Sequence, residues 1–486
     1  MKHFITSILL LNCYLLHAQT QLGSDIDGEA ADDNSGASVS MNSAGDRVAI
    51  GGHANDGADT DAGHVRVYSI PITVQTTTYV PDDNFEQALI DLGYDDVLND
   101  SVLTANISSI TSLDITYLSI SDLTGIEGFT ALTELRCFNN QLTSLDVSSN
   151  TALTKLSCHE NELTSLDVSN HTALTELHCS NNQLTSLDVS SNTALTKLSC
   201  GGNELTSLDV SSNTALTDLH CSGNQLTSLD VSSNTALTIM GCYYNQLTSL
   251  DVSNNTALTK LYCTSNQLTA LDVSNNTALT HLYCTSNQLT VLDVSANTAL
   301  TDLRCNNNQL TSLDVSNNAS LTKLYCSDNQ LTTMDVTNND SLEIVELHNN
   351  SLTSFAGISN KLNLTRLKMR NNEITSVDLG GCVSLTNLDM NNNNLTSINV
   401  SGCVSMTLIS ASSNELTTID LSINDSLTWI GLWGNQLTSI DVSDKPNLGR
   451  LSIFNNELTS LNVDNNPLLN HLHVSSNQLT SLDVSN

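Results

Sequence analysis

The sequence predicts a solenoid of about 18 short coils, each of 21 or 22 residues. A parallel β-sheet is expected on its concave face, extended or 3-10 segments on its convex face, and little α-helix anywhere. Three observations predict this. The stretch LTKLSCHENELTSLDVSNHT, Leu153 to Thr172, recurs with small changes every 21 residues from Leu132 to the last residue. A fixed period of that length belongs to stacked coils, because one coil cannot bury its own apolar face. Each half of the unit, L-x-x-L-x-C-x-x-N and L-x-x-L-x-V-x-x-N, centres on strand alternation, one side chain in and the next out. Finally, 21 residues are too few for a strand, a full helix and two turns.

Counting along the period sorts the residues into columns. Cysteine fills one inward column at Cys137, Cys158, Cys179, Cys200, Cys221, Cys242, Cys263, Cys284, Cys305 and Cys326. Leu347, Met369, Met390, Ala411, Leu432, Ile453 and Val474 then occupy the same slot. A position that accepts Cys, Leu, Met, Ile and Val in turn is a core position. Three residues on, asparagine is unbroken from Asn140 and Asn161 to Asn477. An inward amide at a tight bend can bond both its own turn and the neighbouring coil, which makes this column a structural ladder.

The strings LTKLSCHENEL and LTELHCSNNQL match the leucine-rich-repeat pattern L-x-x-L-x-[LC]-x-x-N-x-L at every fixed position. The chain thus resembles bacterial secreted leucine-rich-repeat proteins of the internalin-like kind. The resemblance implies a recognition scaffold whose exposed concave sheet meets the ligand. It covers seventeen clear units and a degenerate first one from Ile110 to Thr130, and it specifies fold far better than function.

With 15 basic and 51 acidic residues the net charge is −36. Such a surface argues against nucleic acid, whose phosphates need cations, and against adsorption to anionic membranes. Residues 1–18 read as a signal peptide: Lys2, an apolar run from Phe4 to Leu16, and a cleavage point after Ala18. No later apolar run is long enough for membrane insertion, so a secreted or cell-surface location is expected. Export invites disulfides. Yet stacked in-register thiols run parallel and do not turn toward one another as the bond requires, so buried free thiols are expected. Cys382 and Cys403, placed opposite the second-half asparagine, are read the same way.

Residues 19–72 have a different texture, with short strands in SGASVSMNSAGDRVAIGG and AGHVRVYS. This segment resembles one blade of the FG-GAP or integrin-like propeller repeats. Asp56, Asp59 and Asp61 are spaced as in a calcium loop, or as an acidic surface turn. Residues 73–109 form an N-terminal cap. Asp83 and Glu86 supply a capping box, Phe85, Leu89 and Leu92 the buried face, and Gly93 the stop. The repeat array occupies residues 110–486. Its period lengthens to 22 around Ser351 to Asn363, where a change of curvature is expected. The last unit stops half-way through a coil, so the array is expected to be incomplete.

Variation between repeats separates two surfaces. The second half is nearly constant, L-T-S-L-D-V-S, while the first half varies at its outward positions. Ten of the fifteen basic residues fall there: Arg136, Lys155, Lys197, Lys260, Arg304, Lys323, Arg366, Lys368, Arg370 and Arg450. Cross-strand pairing accounts for the alternating run Glu134, Lys155, Glu176, Lys197 and Asp218. It does not account for Arg366, Lys368 and Arg370, which Glu346 and Asp389 only partly offset. Tyr262, Tyr283 and Tyr325 share a column with Arg304, Tyr243 and Tyr244 lie beside them, and Trp429, Trp433 and Phe454 form a second group. Outward Tyr, Trp and Arg are the residues enriched in binding hot spots, although they are also good strand formers. His471 and His473 share a strand face without an acidic or thiol ligand beside them, and read as surface residues.

Ser, Asp and His abound only as ladder members, so no catalytic residues and no cofactor are expected. The expected function is non-enzymatic: an exported module binding a protein or glycan through the concave sheet. The alternative is a structural or adhesive array using the repeated Asp/Ser/Thr face. In that reading the aspartates from Asp146 to Asp335 could bind calcium to offset a repulsion of about 0.8 kcal/mol per neighbouring pair, a role that serine and backbone hydrogen bonds could also fill.

Overall fold

The computed structural model describes residues 35–41, 47–52, 64–69 and 75–484, in two units divided after Thr76. The signal peptide and Asp56, Asp59 and Asp61 lie outside the described residues. In the first unit Ser35–Met41, Arg47–Gly52 and His64–Ser69 form a three-stranded antiparallel sheet. Val48 and Ile50 on its middle strand are buried.

The second unit is the solenoid. Its concave wall is a parallel sheet of 18 strands, from Ser112–Asp114 to His471–His473. Each pairs in register with the coil before and the coil after, so Lys260, Leu261 and Tyr262 lie beside His281, Leu282 and Tyr283. Pairing runs linearly from the first strand to the last, which makes the sheet an open ribbon. The middle residue of each strand points into the core and its two neighbours onto the concave face, as the period of two demands. Among the described residues the convex side has turns and two short parallel pairs, Thr333–Asp335 with Ser354–Ala356 and Ser376–Asp378 with Ser397–Asn399. The 3-10 helix Ile126–Gly128 belongs to the first coil.

The asparagine ladder holds the stack as its position implied. Asn287 Nδ2 donates to the carbonyls of Cys284 in its own coil (3.0 Å) and Cys263 in the preceding one (3.1 Å), while its Oδ1 accepts from Leu268 N (3.0 Å). Three buried backbone groups are thereby satisfied by one side chain. A second ladder, including Asn213, donates to two carbonyls, Val189 and Asn192 (both 2.9 Å), but leaves its own Oδ1 unpartnered. Cys382 and Cys403 do not sit opposite this second asparagine; they replace it. Their thiols donate to Ile358 O (3.2 Å) and Leu379 O (3.3 Å), the carbonyls the amide would take. Lys361 and Lys445 fill the same slot, buried, and reach out to Asp340 (2.6 Å) and Asp425 (2.9 Å).

All twelve cysteines among the described residues are buried and free. Burial pushes the Cys137 and Cys221 thiols up to about 12, so these groups are inert small hydrophobes. The 22-residue coil absorbs its extra residue at Gly357. Its φ is +73°, and a Cβ there would come within 2.3 Å of Thr337 N. Only glycine fits that bulge.

The cap helix spans Asp83–Asp91, and two expectations for it need correction. Its N-cap is Asp82, not Asp83: Asp82 Oδ1 accepts from Asn84 N and Phe85 N (both 3.0 Å). The other oxygen accepts from Ser121 N (2.8 Å) and Asp122 N (3.1 Å), which ties the helix to the first coil. Glu86, one position past the capping-box site, is fully buried and accepts from Asn99, Asp100 and Ser101 N–H groups. The buried face is Phe85, Ala88 and Leu89, whereas Leu92 is exposed. Gly93 follows the helix at φ +79°.

Candidate ligand-binding face

The concave columns bring the central aromatic residues together. Tyr262, Tyr283, Arg304 and Tyr325 occupy the same strand position on four successive coils. The rings of Tyr262 and Tyr283 are 4.9 Å apart. Arg304 lies between two tyrosines, its Cζ 4.2 Å from the Tyr283 ring and 5.0 Å from Tyr325, a cation–π sandwich.

Asp302, two residues before Arg304 on the same strand, fixes this group. Its Oδ1 accepts from Arg304 Nε (3.0 Å), and its Oδ2 from Arg304 Nη2 (2.9 Å) and the Tyr283 hydroxyl (2.9 Å). The carboxylate is buried to 4% exposure, so its charge is screened little. Burial and then the bond to Asp302 push the Tyr283 hydroxyl up to about 12. Burial likewise raises Tyr262 and Tyr325. At neutral pH all three phenols are therefore protonated donors. Sequence reasoning missed Asp302 because it followed columns; the i, i+2 pair on one strand face was the available signal.

Tyr243 joins this surface from the preceding coil. A Cβ on Gly241, which holds the Tyr262 column there, would make an ordinary 3.6 Å contact with Tyr243 Cε1 but would come within 2.9 Å of His220 Nδ1, so the glycine makes room for the histidine of the preceding coil. Tyr244 packs edge-on against Tyr243 at 5.6 Å and is 62% exposed. Its φ is +54°. The residue before the ladder asparagine adopts positive φ in coil after coil, as Asn181, Ser265, Ser286, Asn307 and Asp328 do. Those residue types tolerate the left-handed region; a bulky tyrosine there is strained.

The basic cluster is a shared network. Glu346 meets both Arg366 (3.6 Å) and Lys368 (3.0 Å), and Asp389 meets Arg370 (3.8 Å). Three cations against two carboxylates leave one positive charge in excess. Arg370 lies just beyond the strand Arg366–Lys368. In the alternating run, Glu176 pairs with Lys155 (3.2 Å) and Lys197 (3.9 Å), the expected self-neutralisation. The second aromatic group divides. Trp433 stacks on Phe454 at 5.2 Å and Phe454 on His473 at 4.2 Å. Trp429 stands in a different column, across its strand, in register with Leu408 and Arg450.

On the second-half face, each aspartate uses a carboxylate oxygen locally. Asp272 Oδ1 accepts from Ser274 N and Asp293 Oδ1 from Ser295 N, both at 2.9 Å. These serine hydrogen bonds hold the carboxyls below their usual range. These bonds offset part of the repulsion between neighbouring carboxylates.

The solved functional domain of InlJ from Listeria monocytogenes, described as including a cysteine ladder, is 37% identical to this chain. It matches with a TM-score of 0.59 over 79% of this chain and 77% of that one. The chain belongs to the bacterial internalin-like leucine-rich-repeat proteins. A shorter stretch of 72 residues is 39% identical to Internalin J of Listeria monocytogenes serotype 4b, covering 15% of this chain and only 8% of that protein. The internalin InlF of the same species is similar in fold, at 24% identity and a TM-score of 0.59 over 66% of this chain and all of that one. A family model described as LVIVD repeat matches residues 417–455, which here lie within the solenoid. The buried column from Cys137 to Cys326 gives this internalin-like chain a cysteine ladder of its own. No helix among its described residues is long and apolar enough to cross a membrane.

Proposed function

We propose that this internalin-like protein is an exported, non-enzymatic recognition module whose central concave surface binds a protein. The observation that carries the reading is the Tyr262–Tyr283–Arg304–Tyr325 ladder locked by Asp302. Its inner aromatic faces are occupied by one another and by the guanidinium, so it offers ring edges, phenol hydroxyls and the Nη1 donors of Arg304. That is the donor-rich, pre-ordered surface of a protein hot spot, where little side-chain entropy remains to be lost on binding. A sugar ring could stack only on the outer faces of Tyr262 and Tyr325, since the inner faces of the ladder are filled. Tyr243 and Tyr244 extend the surface on one side; Arg366, Lys368 and Arg370 add an excess positive charge that suits an acidic rim on the partner. Residues 1–18 would direct the chain out of the cell.

The test compares proteins captured from a cell-surface extract by the wild type, by a Tyr283→Ala/Arg304→Ala variant, and by an Asp272→Asn/Asp293→Asn variant of the second-half face. A protein retained by the wild type and the second-half variant but lost from the concave variant supports the reading. Capture that survives the concave changes but is lost with a calcium chelator or the second-half changes would favour the adhesive array instead.

A further inference from the structure

Toward the last coils the concave face changes character. Across the outward strand positions from Leu408 to His473 there is no aspartate or glutamate, in a chain of net charge −36. The titratable groups there are Arg450, His471 and His473. Arg136, Arg304, Arg366 and Arg370 of the same sheet each meet a carboxylate within 4 Å. Arg450, among the described residues, has no such partner and stacks on no ring.

Arg450 faces a cavity of about 580 Å³ walled by Trp429, Thr428, Leu408, Asn470 and His471. A second hollow of about 430 Å³ continues from it along Trp429, Arg450 and His471. Both fall within the usual size of a small-ligand site. Trp429, Arg450 and His471 stand on three successive strands in register, about 5 Å apart from strand to strand. Trp429 reaches across its own strand to Gly431, where a Cβ would come within 3.0 Å of its Cζ2 and Cη2 atoms. Unlike Trp433, it stacks on no other aromatic ring of the described residues. His471 Nδ1 lies 2.6 Å from Asn470 Oδ1, which orients both side chains at the far wall.

We propose that Trp429, Arg450 and His471 form a subsite for a carboxylate-bearing sugar unit of a glycan, separate from the central protein-binding surface. The half-buried indole, which stacks on no other ring of the described residues, suits the flat, weakly apolar face of a pyranose, and the unpaired guanidinium suits its carboxylate in a bidentate pair. The amide of Asn470 and the imidazole of His471 supply hydroxyl partners. The strands carrying Trp429 and Arg450 are paired on both sides, which closes them to backbone addition of an extended acidic peptide.

Trp429 and Trp433 are the only two tryptophans of the chain, so intrinsic fluorescence reports on the site and Trp433→Phe isolates Trp429. The full chain is titrated with hyaluronan tetrasaccharide, 3′-sialyllactose, neutral chitotetraose and tetraglutamate. The expected result is a saturable change in Trp429 emission with at least one acidic sugar and none with chitotetraose or tetraglutamate. Arg450→Gln should weaken that binding at least tenfold, and Arg304→Gln should leave it unchanged. The proposal is overturned if neither acidic sugar binds, if the neutral sugar or the peptide binds as well, or if Arg450→Gln binds normally with its fold intact by circular dichroism. An Arg304→Gln effect equal to that of Arg450→Gln would also overturn it, since the subsite would then not be separate.

Discussion

The centre and the last coils of the concave sheet use the same residue types in opposite ways. At the centre, Arg304 is held by Asp302 and sandwiched by Tyr283 and Tyr325. Near the last coils, Arg450 stands beside Trp429 in register, with no carboxylate and no stacked ring among the described residues. The first arrangement has used its electrostatics internally and presents a stiff, finished surface. The second keeps an uncompensated charge, a state tolerated because Arg450 is exposed to water. One scaffold therefore carries a pre-ordered contact surface and an open pocket, and the difference lies in which residue occupies the neighbouring outward position.

The largest expected effect checks that the scaffold beneath both regions is equivalent. Asn287→Leu under the centre and Asn435→Leu under the last coils each orphan two carbonyls and one N–H. Each should lower unfolding free energy by about 3 kcal/mol in urea titrations. Asn213→Leu in the second ladder should cost less, because that amide leaves its own oxygen unpaired. Markedly unequal losses at 287 and 435 would mean the two regions rest on different supports.

Next comes the locked arginine. Asp302→Asn should destabilise by about 1–2 kcal/mol, discounted because Arg304 remains partly exposed. Arg450→Gln should change stability by less than about 0.5 kcal/mol. A measurable stability cost at Arg450 would reveal a partner and erase the contrast. If the central ladder is a hot spot, Arg304→Ala should weaken the captured partner by about 2 kcal/mol or more, roughly thirtyfold, in a calorimetric titration.

The smallest effect should be shared by both regions. Serine hydrogen bonds lower the carboxyl pKa of Asp272 and Asp293 at the centre and of Asp420 and Asp441 near the last coils, from an ordinary value of 3.8. A depressed folded-state pKa gives stability that is fully present above 3.8 and lost as the pH falls through the lowered values. Thermal melts should hold steady from pH 7 to about 5 and decline below about 4. Replacing Ser274 and Ser295 with Ala should flatten part of that decline, since the serine side-chain bond is the larger contribution at both sites while the backbone N–H donors remain.

Much of this was legible in the letters, because a repeated period fixes which side chains share a wall. The cysteine column, the asparagine ladder and the Tyr/Arg column all follow from counting. What counting along columns hides is contact along a strand or on a diagonal. Asp302 reaches Arg304 at i+2 and Tyr283 at i−19, and Gly241 matters for the space it vacates beside His220. Substitutions inside a ladder were equally hard to see: Lys361, Lys445, Cys382 and Cys403 look unrelated to asparagine, yet the thiols donate to the carbonyls the amide would take and the lysines to the next carbonyl along, Thr337 O and Ser422 O. At the cap, a shift of one residue in the N-cap turned Glu86 from a helix-capping group into a buried acceptor for the loop after the helix. The left-handed column could have been found from its letters, since Asn, Gly, Ser and Asp dominate it and Tyr244 does not belong.

The ultraviolet titration of Tyr283, isolated as the difference between wild type and Tyr283→Phe, tests most directly whether residues nineteen apart in the chain meet on one face. The structure predicts a midpoint near 12, falling toward the ordinary phenol value of 10.0 in Asp302→Asn as the anionic acceptor is lost. A midpoint near 10 in the wild type, or one that Asp302→Asn leaves unmoved, would contradict the locked centre on which the proposed recognition surface depends.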